Sequence, residues 1–382
     1  MELNITELRE EINETDRQIV ELFKKRMDIA ANIAEYKKEH SLPVFDAARE
    51  RALLEKISDM AGEELEGYAR TLYRTMMDVS KAHQHTKLNP TSEIYEQIRS
   101  SLECTSSMFP DRARVACQGV EGAYSQIAAE KLFELPNINY YPTFDSVFSA
   151  IERGECRYGV LPIENSTAGS VKKVYELMLR HKFSIVRSVR LKVDHNLLCK
   201  KGVKPEEIKE IISHEQAIAQ CAGFLRSLPG VKVTVAANTA IAAKTVAESD
   251  RRDLAALSSR FCAELYSLDN VAESVQDMGN NYTRFICISK DNEVYQGADK
   301  ITLMLVTPNR PGSLYHVLSC FNSLGVNMTK LESCPIPERD FEAMFYFDFT
   351  VSVYSDTLKK LLCELEGRGE RFKLLGAYSE IV

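Results

Sequence analysis

Between Asn4 and His40 the chain contains no glycine and no proline; the first proline is Pro43. Nothing in that stretch breaks a helix, and Asn4 with Glu7 has the form of an N-terminal capping box. Ile12, Ile19, Phe23, Ala30, Ile33 and Ala34 recur at helical spacing and share one stripe. A helix of this length extends roughly 50 Å at 1.5 Å per residue. That exceeds the width of a small domain, so the stripe is expected to pair with a second chain.

The cations on this helix are more informative than its length. At 100° per residue Arg26 and Lys37 lie about 20° apart around the axis, within the apolar stripe. They are roughly 16 Å apart along it, a gap two long side chains can close on a small molecule. Arg9 lies about 25 Å from Arg26, too far for one helix to bring both to one ligand, although a partner's antiparallel helix brings Arg9 within reach. Snorkelling or intersubunit salt bridges are the ordinary roles of any one such cation. Two shorter helices are expected at 46–60 and 63–86. Asp46, Arg49 and Glu50 cluster where the first begins, Asp46 also suiting an N-cap. On the second, Ser80 and Gln84 are spaced i, i+4 and share a face, while Leu65, Tyr68, Leu72, Met76 and Val79 read as core.

Leu8-Arg9-Glu10, Lys25-Arg26, Lys37, Pro43-Val44-Phe45-Asp46, Arg49-Glu50-Arg51 and Ser80 with Gln84 resemble the all-helical chorismate mutase family over residues 1–88. That family forms an intertwined helical dimer whose sites each take an arginine from the other chain. The resemblance implies that Arg26 and a partner's Arg9 clamp the two carboxylates of chorismate, assisted by Arg49 and Ser80. It implies that Lys37 and Gln84 hydrogen-bond the ether oxygen, and that Glu50 and the Asp46 region hold the ring hydroxyl. A Claisen rearrangement needs no nucleophile and no acid–base pair, only a held conformer and donors where negative charge grows. This residue set suits that chemistry.

The whole chain, 382 residues with 45% hydrophobic and 27% charged side chains, is too long for one ordinary core. A net charge of −7 argues against a nucleic-acid surface. No apolar run approaches a membrane span and the N-terminus is charged rather than signal-like. Ten scattered cysteines without metal-ligand spacing fit reduced thiols, so a cytoplasmic location without metal or cofactor is expected.

Residues 89–111 read as a linker with a short helix near 92–102, and from Arg114 strands and helices alternate as in an α/β fold. Gly159–Ile163 reads as a buried strand, Ser166–Ser170 as a hydroxyl-rich loop, and a helix follows from Val171. A strand, a small polar loop and a helix N-terminus make an anion site, though an ordinary turn has the same form. Several other strand ends carry small polar residues: Ser125, Asn165, Ser166, Thr167, Ser213, Thr239, Ser258 and Thr283. Each alone suits capping, and together they suit a hydrogen-bonding cleft between two lobes.

Glu164-Asn-Ser-Thr-Ala-Gly169, Gly122-Ala-Tyr-Ser125, Ser213-His-x-Gln-Ala-x-x-Gln-Cys221 and Thr283-Arg-Phe285 resemble the prephenate dehydratase family over 112–290. The family's two-lobed α/β fold is similar to periplasmic binding proteins. The resemblance implies Thr283 as principal catalytic residue, with Glu164, Asn165, Ser213 and Gln220 also in the site. Thr283 is read as an oriented donor, Glu164 or His214 as the ultimate acid, and Arg284 as a carboxylate partner or a structural arginine. Ser125, Ser166 and Thr167 are further substrate-binding candidates.

Residues 299–382 follow a βαββαβ order, ferredoxin-like by pattern. Asn309-Arg-Pro-Gly-Ser-Leu314 and Leu331-Glu-Ser-Cys-Pro335 resemble the ACT regulatory domain of prephenate dehydratases, which binds phenylalanine between paired domains. Asn309, Pro311, Gly312, Ser313, Leu314, Glu332 and Ser333 are the effector-binding candidates it implies; the family usually has arginine where this chain has Cys334. The expectation is a homodimer or higher homo-oligomer of the bifunctional chorismate mutase–prephenate dehydratase family. Arogenate dehydration and a non-catalytic amino-acid sensor are the rival readings.

Overall fold

The computed structural model describes residues 4–40, 42, 46–88, 91–307, 312–335, 343–366 and 371–382. The chain divides into two compact units, Met1–Gln97 with Met304–Lys373, and Ile98–Leu303 with Leu374–Val382.

Helix α1 (Ile5–Glu39) packs against α2 (Ala47–Leu88), which breaks at Gly62, where φ is 73°. The break marks the join between the two shorter helices expected from sequence; only glycine takes that backbone without strain. Asn4 caps α1 by accepting from the Thr6 N–H at 3.1 Å, one residue short of the capping-box geometry expected with Glu7. The α1 stripe is left largely open in the single chain, as a stripe meant for a second chain would be, whereas the core expected on α2 is corrected. Within α1 the buried residues are Ala30, Ala31 and Ala34, while Ile12 is 60% exposed and Ile19 and Ile33 are open too. On α2, Leu65, Tyr68, Leu72 and Val79 are likewise exposed rather than core. Small alanines let the two helices of one chain approach closely, and their larger apolar residues lie outside that contact.

Helix α3 (Glu93–Cys104) leads to β1 (Arg112–Gln118), α4 (Tyr124–Leu132), β2 (Leu135–Tyr141), α5 (Phe144–Glu152), β3 (Tyr158–Asn165), β4 (Gly169–Ser170), α6 (Lys172–Arg180) and β5 (Ser184–Lys192). The chain then enters a second lobe: β6 (Asn196–Cys199), β7 (Glu210–Ser213), α7 (Glu215–Gln220), α8 (Ala222–Arg226), β8 (Lys232–Val235), α9 (Thr239–Glu248), β9 (Leu254–Ser258), α10 (Arg260–Leu265) and β10 (Asp269–Ala272). It returns to the first lobe with β11 (Tyr282–Ser289). Strand order in the second lobe is β10-β6-β9-β7-β8.

Alternation explains its core. Leu197, Cys199, Ala255 and Leu257 pack on one face, and Leu198, Leu254 and Ala256 on the other. Strands buried on both faces read as continuous apolar runs, as these do. In the first lobe Val115, Phe133, Tyr158, Val189 and Phe285 form the core. A Cβ on Gly159 would stand 2.7 Å from Ile151 Cδ1 and 2.9 Å from Val147 Cγ1, so β3 needs glycine there to let α5 lie against it.

The C-terminal elements are β12 (Lys300–Thr307), α11 (Ser313–Ser323), β13 (Asn327–Pro335), β14 (Ala343–Thr350), α12 (Asp356–Glu366), β15 (Arg371–Tyr378) and β16 (Glu380–Ile381). The first six give the expected βαββαβ order, with strands arranged β13-β14-β12-β15. β16 instead joins the first lobe's sheet, whose order is β16-β5-β11-β3-β1-β2 with β4 on β3.

Candidate active sites

β3 and β11 are antiparallel, and their register sets Asn165 opposite Thr283 and Glu164 opposite Arg284. Successive side chains on a strand point to opposite faces, so these two pairs serve different surfaces. Asn165 and Thr283 line a cavity of about 520 Å³ between the two lobes, with Pro162, Phe285, His195, His214 and Gln220. Glu164 and Arg284 do not line it: Arg284 is buried, and its Nε lies 2.6 Å from Glu164 Oε1. Strand alternation thus takes Glu164 away from the cavity, whereas His214, the other acid considered, lines it; of the two readings of Arg284 the structural one fits the buried pair.

The polar groups at the cavity form one connected chain, and its polarity can be deduced. Asn165 Oδ1 accepts from the backbone N–H groups of Thr167 (3.0 Å) and Ala168 (2.9 Å). Backbone amides only donate, so the Asn165 Nδ2 must face the other way. It donates to Thr283 Oγ1 at 2.8 Å and to Asn281 Oδ1 at 2.8 Å. Thr283, having received a hydrogen bond, keeps its own hydroxyl proton to donate. Thr167 Oγ1 donates to Asn165 Oδ1 (2.7 Å) and accepts from Gln220 Nε2 (2.7 Å). Gln220 Oε1 accepts from Asn281 Nδ2 (3.0 Å) and lies 2.9 Å from His195 Nε2.

The helix N-termini add a field. The openings of α4, α6, α7 and α9 all contribute lining residues, Ala123 to Ser125, Val171, His214 with Gln216, and Asn238 with Thr239. α4 and α6 have no side-chain cap, so their first N–H groups remain for a ligand. Among the described residues that line the cavity none is Lys, Arg, Asp or Glu. An anion here is met by helix ends and neutral donors, not by an ion pair. Burial holds the His195 imidazole below its usual range, so it stays neutral.

Other expected residues are placed less directly. Ser213 is fully buried and donates to the Leu257 carbonyl at 2.7 Å, which makes it a strut rather than a site residue. Ser166 donates to the Asn280 carbonyl and accepts from the Tyr282 N–H, tying the loop to the lead-in of β11. Ser125 lines the cavity with its hydroxyl on the Gln118 carbonyl. His214 caps α7, its Nδ1 accepting from Gln216 N at 3.3 Å. His195 escaped the sequence reading, and Asn281, seen only as the start of the stretch at the mouth of β11, was not among the candidate site residues.

In the helical region Arg26 Nη1 donates to Ser80 Oγ and to the Met76 carbonyl (3.3 Å). Gln84 is buried and Lys37 half-buried. Lys81, not singled out from sequence, bridges Glu50 Oε1 and Asp78 Oδ1, each at 3.0 Å. Asp46 accepts from Arg49 N at 3.0 Å and is therefore spent on the helix start. Arg9 is exposed near the far end of α1. Of the effector candidates, Gly312 (φ 91°) precedes α11, Ser313 and Leu314 open it, and Glu332 and Ser333 lie on β13. Asn309 and Pro311 lie outside the described residues.

These two constellations define an enzyme with a chorismate mutase part and a dehydratase part. The family model for chorismate mutase type II matches residues 8–85, and that for prephenate dehydratase matches 115–293. The chain is 30% identical over 377 residues to the bifunctional chorismate mutase/prephenate dehydratase of Aquifex aeolicus, covering 98% of this chain and 97% of that one. It is 36% identical over 316 residues to arogenate dehydratase/prephenate dehydratase 2 of Arabidopsis thaliana, covering 79% and 81%. Among solved structures, a prephenate dehydratase from Arthrobacter aurescens in complex with L-Phe aligns with TM-score 0.63 at 25% identity, over 70% of this chain and 89% of that one. GqqA, described as a quorum quenching acylase, aligns with TM-score 0.63 at 30% identity, over 69% and 97%. The chain belongs to the bifunctional chorismate mutase/prephenate dehydratase family, enzymes of phenylalanine biosynthesis.

Proposed function

We propose that residues 1–88 carry the mutase site, 112–290 the dehydratase site, and 299–382 a phenylalanine-binding ACT domain, with 89–111 as linker. In the mutase, Arg26 and the partner subunit's Arg9 hold the two carboxylates of chorismate, with Arg49 and Ser80 assisting. Lys37 and Gln84 donate toward the ether oxygen as its bond breaks, and Glu50 takes the ring hydroxyl. The exposed Ile12, Ile19, Ile33, Leu65 and Leu72 support an intertwined dimer that brings the partner subunit's Arg9 to this site. The free cysteines support a reducing cytoplasm.

In the dehydratase, the bond from the ring to the departing carboxylate breaks and its electron pair enters the ring. The C4–O bond breaks with its pair on oxygen, and a proton converts that oxygen to water. The observation that carries this reading is the hydrogen-bond chain ending on Thr283 in a cavity with no Lys or Arg among its described lining residues. Thr283 Oγ–H donates to the leaving oxygen. An arginine on the departing carboxylate would stabilise the ground state more than the transition state, where that charge is dispersing, so its absence suits decarboxylation. The lining also favours prephenate over arogenate. Arogenate carries an ammonium group, and no described lining residue is a carboxylate to receive it. The test is to supply the full chain with chorismate, prephenate or arogenate, with and without phenylalanine. Phenylpyruvate from the first two, reduced by phenylalanine, is the expected result; faster turnover of arogenate, or indifference to phenylalanine, would refute the corresponding part.

A further inference from the structure

We propose that Asn281 is a positioning residue that carries the donor–acceptor polarity of the 165–168 loop across to His195, fixing that histidine as its Nε2–H tautomer. Asn281 is 2% exposed and lines a neighbouring cavity of about 320 Å³ rather than the 520 Å³ one that holds Thr283, so it reaches the latter through other groups. Its Oδ1 accepts from Asn165, whose orientation two backbone amides dictate. Its Nδ2 is then forced toward Gln220 Oε1. Gln220 consequently turns its own Nε2 to Thr167 and offers only an acceptor to His195 Nε2. A neutral imidazole facing an acceptor must carry its proton on that nitrogen. His195 Nδ1, which has no protein partner, is left as a lone-pair acceptor. Residues of both lobes are thereby locked in one sense, from β3 through the lead-in of β11 to α7 and the residue before β6.

Asn281→Asp keeps shape and the contact to Asn165 but places a second acceptor against Gln220 Oε1. The Gln220 amide should turn over, presenting its carbonyl to Thr167 and its NH₂ to His195, and the imidazole proton should move to Nδ1. The inference rests on the dehydratase reading, and one set of measurements separates the two. Ring ¹⁵N shifts of the histidine-labelled full chain, assigned by the signal missing in His195→Gln, should report Nε2–H in the wild type and Nδ1–H in Asn281→Asp. The kcat for prephenate should fall on the order of 10- to 100-fold with KM changed far less, because reacting groups are misplaced rather than removed. Mutase turnover of chorismate should be unchanged. A wild type that does not convert prephenate refutes the dehydratase reading itself. A wild type that does convert it but carries Nδ1–H refutes only the role of Asn281, as does an Asn281→Asp protein with the tautomer and kcat of the wild type. The wild-type tautomer decides the matter even where the variant does not fold.

Discussion

Replacing Thr283 by valine removes one oxygen and keeps the shape of the side chain. The stability cost can be read from the partners left behind. Asn165 Nδ2 loses an acceptor at 2.8 Å but retains Asn281 Oδ1 at 2.8 Å and has the Tyr282 carbonyl at 3.3 Å. With one hydrogen re-housed at a longer distance, the loss is about 1 kcal/mol. For a unit of this size that lowers Tm by about 2–4 °C. The catalytic cost is larger, because the oriented proton donor is gone: a 10²- to 10⁴-fold fall in kcat for prephenate is expected. That corresponds to about 3–5 kcal/mol on the barrier. Phenylpyruvate formation, chorismate consumption and a thermal melt on one preparation separate the effects. Thr283→Ser, which keeps the oxygen, should recover most of the lost rate. A valine variant retaining a tenth or more of dehydratase activity, or losing mutase activity equally, would refute the reasoning.

Mixing inactive Arg9→Ala and Lys37→Ala chains should restore part of the mutase activity, since a hybrid dimer holds one intact site; no recovery on subunit exchange would rule out sharing of Arg9 across chains. Glu210 accepts from Thr234 and pairs with Arg251 and Lys232, which together hold its carboxyl down at about 2. A depressed carboxylate contributes stability above its ordinary range and loses it as pH falls toward 2. Thr234→Val should therefore flatten the fall of Tm with acid below the ordinary glutamate range, and a slope equal to the wild type's would contradict this. Phenylalanine should slow hydrogen exchange at the start of α11 and along β13, and an unchanged exchange pattern would remove effector binding from these elements.

Much of the helical region could be read directly, because the α1 run without Gly or Pro permits little else, and Gly62 breaks α2 near the expected join. The exposure of Leu65, Tyr68, Leu72 and Val79 could not: helical spacing shows that they share a face, not whether that face meets the same chain's α1. Asn165, Gln220 and Thr283 were legible as candidates from their motif. The exclusion of Glu164 was not, because it depends on which face of β3 meets the cavity, and a register shift between Arg284 and Phe285 intervenes. Ser213 looked like its neighbours in sequence; only the packing of β7 beside β9 shows its hydroxyl held by Leu257. His195 had no periodic or motif context, and its part in the network depends on Gln220, Asn281 and the loop at 165–168 meeting in space. β8 and β10 are short and β16 has two residues, too little for an alternation pattern to register.

That two-residue strand limits how separable the C-terminal region is. β16 pairs with β5 through Glu380 and Ile381, and Glu380 also meets Arg190 at 2.7 Å and Lys300 at 2.8 Å. Removing residues 299–382 would take away this cover and leave the outer N–H and C=O groups of β5 facing solvent as a template for strand addition. A chain cut after β11 would therefore carry an adhesive sheet edge, whatever the cut did to feedback control.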